Sequence, residues 1–422
     1  MNFTMKYGKG TLEFQLEDSK ILQVVLPPES DMKPCTVQDV DAALDTPVGT
    51  PSLSELLKSK KPKNVVMIVN DITRPTPYDL LLPPVLKRFA DAGITDDMVT
   101  LLVATGIHDP HTPEQNLQVY GDEMVRRFRI VSHVSDDLDS LAPVGMLSTG
   151  SELRINRLVR DADFVLTLGV VMPHYFAGYS GGRKSIFPGV AWKQNVERNH
   201  SRMVQLMDDL PDLDHNPVSL EMIEAAKMAG VDMILNVVVN ENREIVKVVA
   251  GDVVDAWKEA VAASASLYEV PIKGLADVAI ASACGHPRDI NVYQAQKALD
   301  HADKATKKGG AIILLADCPA GYGESVFEQW MNAATCPGDI VERIQTDFMM
   351  GGHKAFGIAK VAAEKTVYMV TSLDENLVKK LFFVKVPTIG EALRRIEAEK
   401  GSSLQYIVMP EGGLTVPVPE KG

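Results

Sequence analysis

Residues 163–190, DFVLTLGVVMPHYFAGYSGGRKSIFPGV, decide the fold class. From Phe164 to Val171 the run is almost wholly apolar, without the alternation of a half-exposed strand. Such a run belongs to a strand buried on both faces of a parallel sheet. It empties into a segment holding His174, Tyr175, Phe176, the glycines 178, 181 and 182, and the pair Arg183–Lys184. A connecting turn needs about one glycine; three beside two cations indicate backbone brought close to an anion, with a lysine aimed at it.

Upstream, NVVMIVND (64–71) is a second buried run, followed by a polar turn, a helical stretch LLLPPVLKRFADAG and a third run, MVTLLVATG (98–106). FRIVSHV and DMILNVVV extend the series, and ILNVVVNENREIVKVVAGD reads as a hairpin. The opening segments KYGKGTLEFQL and ILQVVLP also read as a hairpin. After Pro271 a new strand–helix series opens with LADVAIASAC and runs to IGEALRRIEAEKG. The expected fold is α/β: two α/β domains with largely parallel sheets joined by helical connections, the active site in the cleft between them. The expected boundaries are 1–270 and 271–401, with 402–422 returning to the first domain.

A chain of 422 residues, 45 % of them apolar, supports two cores. A net charge of −13 disfavours nucleic acid or an anionic membrane as the main partner, yet leaves room for a local cationic site. No signal peptide or membrane span is visible, and the four scattered cysteines fit reduced thiols in a cytoplasmic protein.

Ligands of open parallel sheets bind beyond the carboxyl ends of strands. There the sequence places Asp71, Thr73 and Arg74; His108, Asp109 and His111; His174 through Lys184; and His286 and Arg288, followed by Tyr293, Gln294 and Lys297. Arg74 suits a bidentate grip on a carboxylate, and DITRPTP is equally an ordinary capped turn. His108 could cap a helix starting near Thr112. GGRKS is a near miss for a phosphate-binding loop, with Arg183 where that motif needs glycine. Trp192, Val196 and His200 fall on one helix face; a metal held through His200 would need further ligands from a cofactor.

Pooled, DITRPTP, ATGIHDP, MPHYFAGYSGGRKSIFPGV, the NH that ends the next helix, and YQAQK resemble the lactate racemase family in order and spacing. His174, Lys184 and His200 are separated by nine and fifteen residues, a specific arrangement. The resemblance implies a nickel-pincer nucleotide, a pyridinium-3-thioamide-5-thiocarboxylate mononucleotide, linked covalently to Lys184, with His200 as nickel ligand and Gly181, Gly182, Arg183 and Thr73 around it. It implies His108 and His174 as acid and base on opposite faces of a small 2-hydroxy acid, whose C2 is inverted through hydride transfer to and from the pincer. Arg74, Lys297, Gln294, Tyr293 and Asp71 then bind substrate, Asp71 by orienting Arg74. Proteins that make and load the cofactor are the implied partners. Asp109 stands where many members of the family carry arginine, which disfavours dicarboxylates. Two other readings stay open: a nucleotide-binding phosphotransferase using GGRKS, and a cofactor-binding protein without turnover.

Overall fold

The computed structural model describes residues 1–28, 32–74, 76–206, 212–240 and 242–420. The chain divides into two compact units, Ser30–Ser266 and the combination of Met1–Glu29 with Leu267–Gly422.

The larger unit is built on a six-stranded sheet. In chain order its strands are Val65–Asn70, Val99–Ala104, Arg129–Ser132, Phe164–Val170, Met233–Val239 and Ile245–Gly251. In space they run third, second, first, fourth, fifth, sixth. The first five are parallel, and the sixth closes the edge as the antiparallel half of the expected hairpin. Every residue of Phe164–Val170 and Met233–Val239 is buried, which is why neither run alternates. The strand order reverses between Val65–Asn70 and Phe164–Val170, which pair directly. Doubly wound sheets bind ligands at such a reversal, outside the carboxyl ends of the two strands. Arg74 and His174 follow those two ends.

The first strand end is held firmly. The Tyr78 hydroxyl accepts from the Asn70 amide at 2.6 Å, and the Tyr120 hydroxyl donates to the Asn70 carbonyl at 2.7 Å. Tyr120 comes from the helix Pro113–Arg127, which starts at Thr112 through a reciprocal cap with Gln115.

The smaller unit carries a second six-stranded sheet, ordered Val384–Val386, Thr366–Val370, Thr306–Leu315, Ala276–Ser282, Tyr406–Met409, Ile21–Val24, all parallel. Two sequence expectations are corrected here. The N-terminal hairpin pairs Asn2–Tyr7 with Gly10–Gln15, while Ile21–Val24 leaves it to join the smaller unit's sheet. Residues 402–422 belong to that same unit and not to the larger one, since Tyr406–Met409 fills a place in its sheet and Val416–Pro419 pairs with Glu269–Ile272. The physical reason is burial: a lone hairpin is marginal in water, and Phe3 and Met5 sink into the core formed by Val278, Ile280 and Tyr406. The larger unit is thus inserted between two parts of the smaller one.

Tyr120→Phe should test how far the site rests on this clamp. Loss of the hydrogen bond to Asn70 is expected to cost about 1–2 kcal/mol of unfolding free energy, read by urea denaturation.

Candidate active site

The loop after Phe164–Val170 is folded from its own residues. Ser180 Oγ donates to the Val170 carbonyl at 2.7 Å and accepts from the Met172 amide at 3.0 Å. Pro173–His174 then pairs with Gly178–Tyr179 as a tight antiparallel ribbon. Arg183 is fully buried. Its Nη1 donates to the Tyr179 carbonyl at 2.8 Å, and its Nη2 donates to the Ala177 carbonyl at 2.7 Å and to Ser219 Oγ at 2.9 Å. The guanidinium lies 3.7 Å from the centre of the Trp257 ring. Arg183 therefore faces inward and holds the loop's shape; the expectation that it meets the cofactor directly is corrected, because its Nη donors are spent on carbonyls and a hydroxyl.

The glycines have a similar explanation. Gly181 and Gly182 take φ of +74° and +50°. A Cβ on Gly182 would lie 2.7 Å from the Trp257 ring, and one on Gly181 would lie 2.5 Å from Val171. They are required by packing against the chain itself. Gly182 N–H in turn donates to Asn236 Oδ1 at 2.8 Å, tying the loop to the neighbouring strand.

This frame presents Lys184 from a short 3₁₀ turn, Gly182–Ser185. Its Nζ sits 5.5 Å from the centre of the Phe176 ring. Phe176 also contacts His174, with ring centres 4.6 Å apart, and His200, at 4.9 Å. One aromatic ring is thus the common neighbour of the three residues singled out by their spacing. His200 comes from the helix Lys193–Ser201, on the face with Val196 as the sequence periodicity required. Burial, then the charges of Arg183 and Arg74, hold the Lys184 pKa well below that of an ordinary lysine. Burial and the Lys184 charge push His200 down to about 3. Burial, then Lys184, Arg74, His200 and Arg183, hold His174 well below the usual imidazole value. At neutral pH both imidazoles are neutral, the form that ligates metals and accepts protons.

Across the strand reversal stands a second group. Asn70 and Ala104 are partners in adjacent strands, so the loops that follow them emerge together. His108 Nδ1 pairs with Asp71 Oδ2 at 2.7 Å. The other oxygen of Asp71 accepts from the Thr73 amide and hydroxyl, at 3.1 and 2.6 Å. Burial works to raise Asp71, but the hydrogen bonds from His108 and Thr73 outweigh it and the carboxyl lies below its usual range. An ionised Asp71 assigns the proton of neutral His108 to Nδ1 and leaves Nε2 as a bare acceptor. Arg74 is exposed, and its Nη1 donates to the Thr73 carbonyl at 3.1 Å. Asp71 therefore orients His108 directly, and its side chain reaches the Arg74 guanidinium through Thr73. Thr73 belongs to this chain of hydrogen bonds. His111 is spent structurally, accepting from the Ile72 amide at 2.8 Å and pairing with Asn116 at 3.0 Å.

In the smaller unit Asn291 caps the helix Val292–Lys304 by accepting from the Gln294 amide at 2.9 Å. Tyr293 and Gln294 lie one turn before Lys297 on it, with Gln294 and Lys297 exposed. The phosphotransferase reading loses its context, since the last four residues of GGRKS, Gly182–Ser185, form a 3₁₀ turn and not the start of a helix. Sequence reasoning missed the Asp71–His108 pair, and Phe176, Asn236 and Trp257 as supports; only the strand pairing reveals them.

A doubly wound sheet with histidines, a lysine and an arginine gathered at its strand reversal defines an α/β enzyme acting on a small anionic molecule. Residues 7–208 match the lactate racemase N-terminal domain and residues 272–418 the lactate racemase C-terminal domain. The lactate racemase of Thermoanaerobacterium thermosaccharolyticum is 33 % identical over the whole of both chains. That of Lactiplantibacillus plantarum is 31 % identical over 97 % of each. The apoprotein structure of the former superposes with a TM-score of 0.89 over 99 % of this chain and 100 % of that one. A Thermotoga maritima protein, 19 % identical with a TM-score of 0.65 over 92 % of this chain and 99 % of its own, shares the fold. The chain belongs to the lactate racemase family, and it is an isomerase of the racemase class.

Asp71→Asn should leave the fold intact and reverse the proton preference of His108, placing hydrogen on Nε2. A loss of roughly 100- to 10,000-fold in kcat is expected, measured by chiral analysis of product. A second expectation concerns acid. Burial also pushes His133 and His301 down to about 4, so the unfolded chain binds protons at these histidines, and at His174 and His200, before the folded chain does. This contribution to stability is complete above the unfolded value of about 6.5 and is lost as pH falls below it. The Tm of the apoprotein should therefore drop steadily from about pH 6.5 towards pH 4.5, by calorimetry.

Proposed function

We propose that the chain inverts C2 of a small 2-hydroxy acid, using a nickel-pincer nucleotide held through Lys184 and His200. The observation that carries this reading is the shared surrounding of Lys184, His174 and His200 around Phe176. Its chemistry fits the group. A lysine with a lowered pKa is a nucleophilic amine, as covalent attachment needs. A buried neutral imidazole is a metal ligand. When bound, the nucleotide supplies a reversible hydride acceptor.

The chain's own residues handle everything else. The hydrogen on C2 beside a carboxylate is far too weakly acidic for a histidine to remove as a proton. The histidines act on the hydroxyl instead. His108 Nε2 takes the hydroxyl proton, with Asp71 stabilising the imidazolium that forms. His174, protonated once covalent attachment has removed the Lys184 charge and the substrate carboxylate has offset that of Arg74, gives its proton to the oxygen when the planar 2-keto acid is reduced on its other face, so that one ring ends protonated and the other neutral. Arg74 grips the carboxylate with its planar fork, and Tyr293, Gln294 and Lys297 are assigned to the same substrate by the family resemblance. Gly181, Gly182 and Thr73 are assigned beside the cofactor by the family resemblance. No helix among the described residues is long and apolar enough to cross a membrane. The reading places the enzyme in the cytoplasm, served by partner proteins that make and load the cofactor.

Protein from a host that makes the pincer should carry a covalent adduct by intact-mass measurement, lost in Lys184→Ala. His200→Ala should keep the adduct and lose most nickel by metal analysis. His108→Ala should keep both and lose turnover by roughly 100-fold or more. An unchanged adduct in Lys184→Ala, or equal nickel loss in all three variants, would remove this division of labour.

A further inference from the structure

The helix that carries His200 has little apolar surface to hold it. Its nine residues, KQNVERNHS at 193–201, include one apolar side chain, Val196. Helices in proteins are normally seated by an apolar stripe, and this one lacks it. Its buried face is Asn195, Val196, Asn199 and His200, so the seating falls to hydrogen bonds from two asparagines. Their anchors are separate. Near the start of the helix Asn195 accepts from the Arg154 amide at 3.0 Å and donates to the Glu152 carbonyl at 2.9 Å, both in the strand Glu152–Asn156. In the last turn Asn199 Nδ2 donates to Glu221 Oε2 at 2.7 Å and to the Val218 carbonyl at 3.2 Å, both in the helix Pro217–Met228.

Glu221 is a buried acid that the chemistry at C2 does not use, with 4 % of its surface exposed. Its Oε1 accepts from the Thr149 hydroxyl, and Arg202 Nη1 lies 3.7 Å from its Oε2. Arg198 in turn donates to the Thr149 carbonyl at 2.8 Å. Burying a carboxylate is costly unless its lone pairs are met. Here they are met by Asn199 and Arg202, on either side of His200, and by Thr149. A shift of the helix end would leave the charge uncovered, so the buried acid pins that end in place.

We infer that Glu221 is a positioning residue: through Asn199 it fixes the end of the helix from which His200 reaches its metal, and so slows the loss of nickel. The inference rests on the reading of His200 as a nickel ligand. Glu221 acts through the backbone that Asn199 and His200 share. Hydrogen bonds outside the ligand shell orient metal ligands, and losing one typically costs about 10- to 100-fold in metal affinity.

The test uses cofactor-loaded protein, its covalent adduct verified by intact mass, and follows nickel loss to excess EDTA by metal analysis. Glu221→Ala should keep the adduct and lose nickel about 10- to 100-fold faster than the wild type. Asn199→Ala should do the same, which keeps the inference testable where Glu221→Ala fails to fold. Glu221→Gln should stay within a few-fold of the wild type, since its amide oxygen accepts from Asn199 and the Thr149 hydroxyl can turn to accept from its nitrogen. Asn195→Ala removes the other anchor of the same helix. It should lower Tm yet leave nickel loss within a few-fold of the wild type, which a merely structural role for Glu221 would not predict. Nickel loss from Glu221→Ala or Asn199→Ala no faster than from the wild type would overturn the inference. So would equal acceleration in Asn195→Ala, or Glu221→Gln losing nickel as fast as Glu221→Ala. Nickel retention unchanged in His200→Ala would overturn the reading of His200 itself.

Discussion

Everything at the site depends on one buried cation that takes no part in the chemistry. The Arg183 guanidinium is held by the carbonyls of Ala177 and Tyr179 and the Ser219 hydroxyl, and it stacks on Trp257. Burying a guanidinium is costly unless its donors are met, and here the two terminal nitrogens are met chiefly by the loop's own backbone. The loop can adopt only a shape that keeps those carbonyls turned inward. That shape aims His174 and Lys184 the other way and explains why Gly181 and Gly182 tolerate no side chain. The same charge adds to the field that holds the pKa values of Lys184 and His174 down. Structure and reactivity are thus coupled through a single residue, and a lysine could not replace it, because an ammonium lacks the planar fork that spans two carbonyls.

The fold class was legible because buried parallel strands leave a signature in composition alone. Phe164–Val170 and Met233–Val239 have no exposed face, so neither could be mistaken for an amphipathic element. The boundaries between units were not legible. Nothing local in Ile21–Val24 or Tyr406–Met409 says which sheet it enters; that is settled by pairing partners hundreds of residues away. The site shows the same division. His174, Lys184 and His200 lie close in sequence, and their spacing announced them. Asp71 and His108 lie far apart, on loops following two strands whose adjacency only the sheet order provides. Arg183 misled for an instructive reason: an arginine beside glycines reads as an anion site, yet its direction depends on Trp257 and Ser219, distant in the chain.

The two histidines are not equivalent, and the difference bears on inversion. Asp71 fixes hydrogen on Nδ1 of His108, leaving Nε2 bare. At His174 the Ala177 amide donates to Nδ1 at 3.4 Å, so a neutral ring carries its hydrogen on Nε2. In the resting protein one ring is therefore set to accept a proton and the other to donate a hydrogen bond. A racemase must run equally in both directions, and under the proposed mechanism the two rings would exchange these conditions once per turnover. His108 has a carboxylate to stabilise its charged form. His174 has Lys184 and Arg74 against it. Covalent attachment would remove the charge of Lys184, and a substrate carboxylate on Arg74 would offset the other. Both depressing charges are then answered by the molecules the site is proposed to hold, which would bring the two histidines towards the parity that inversion requires.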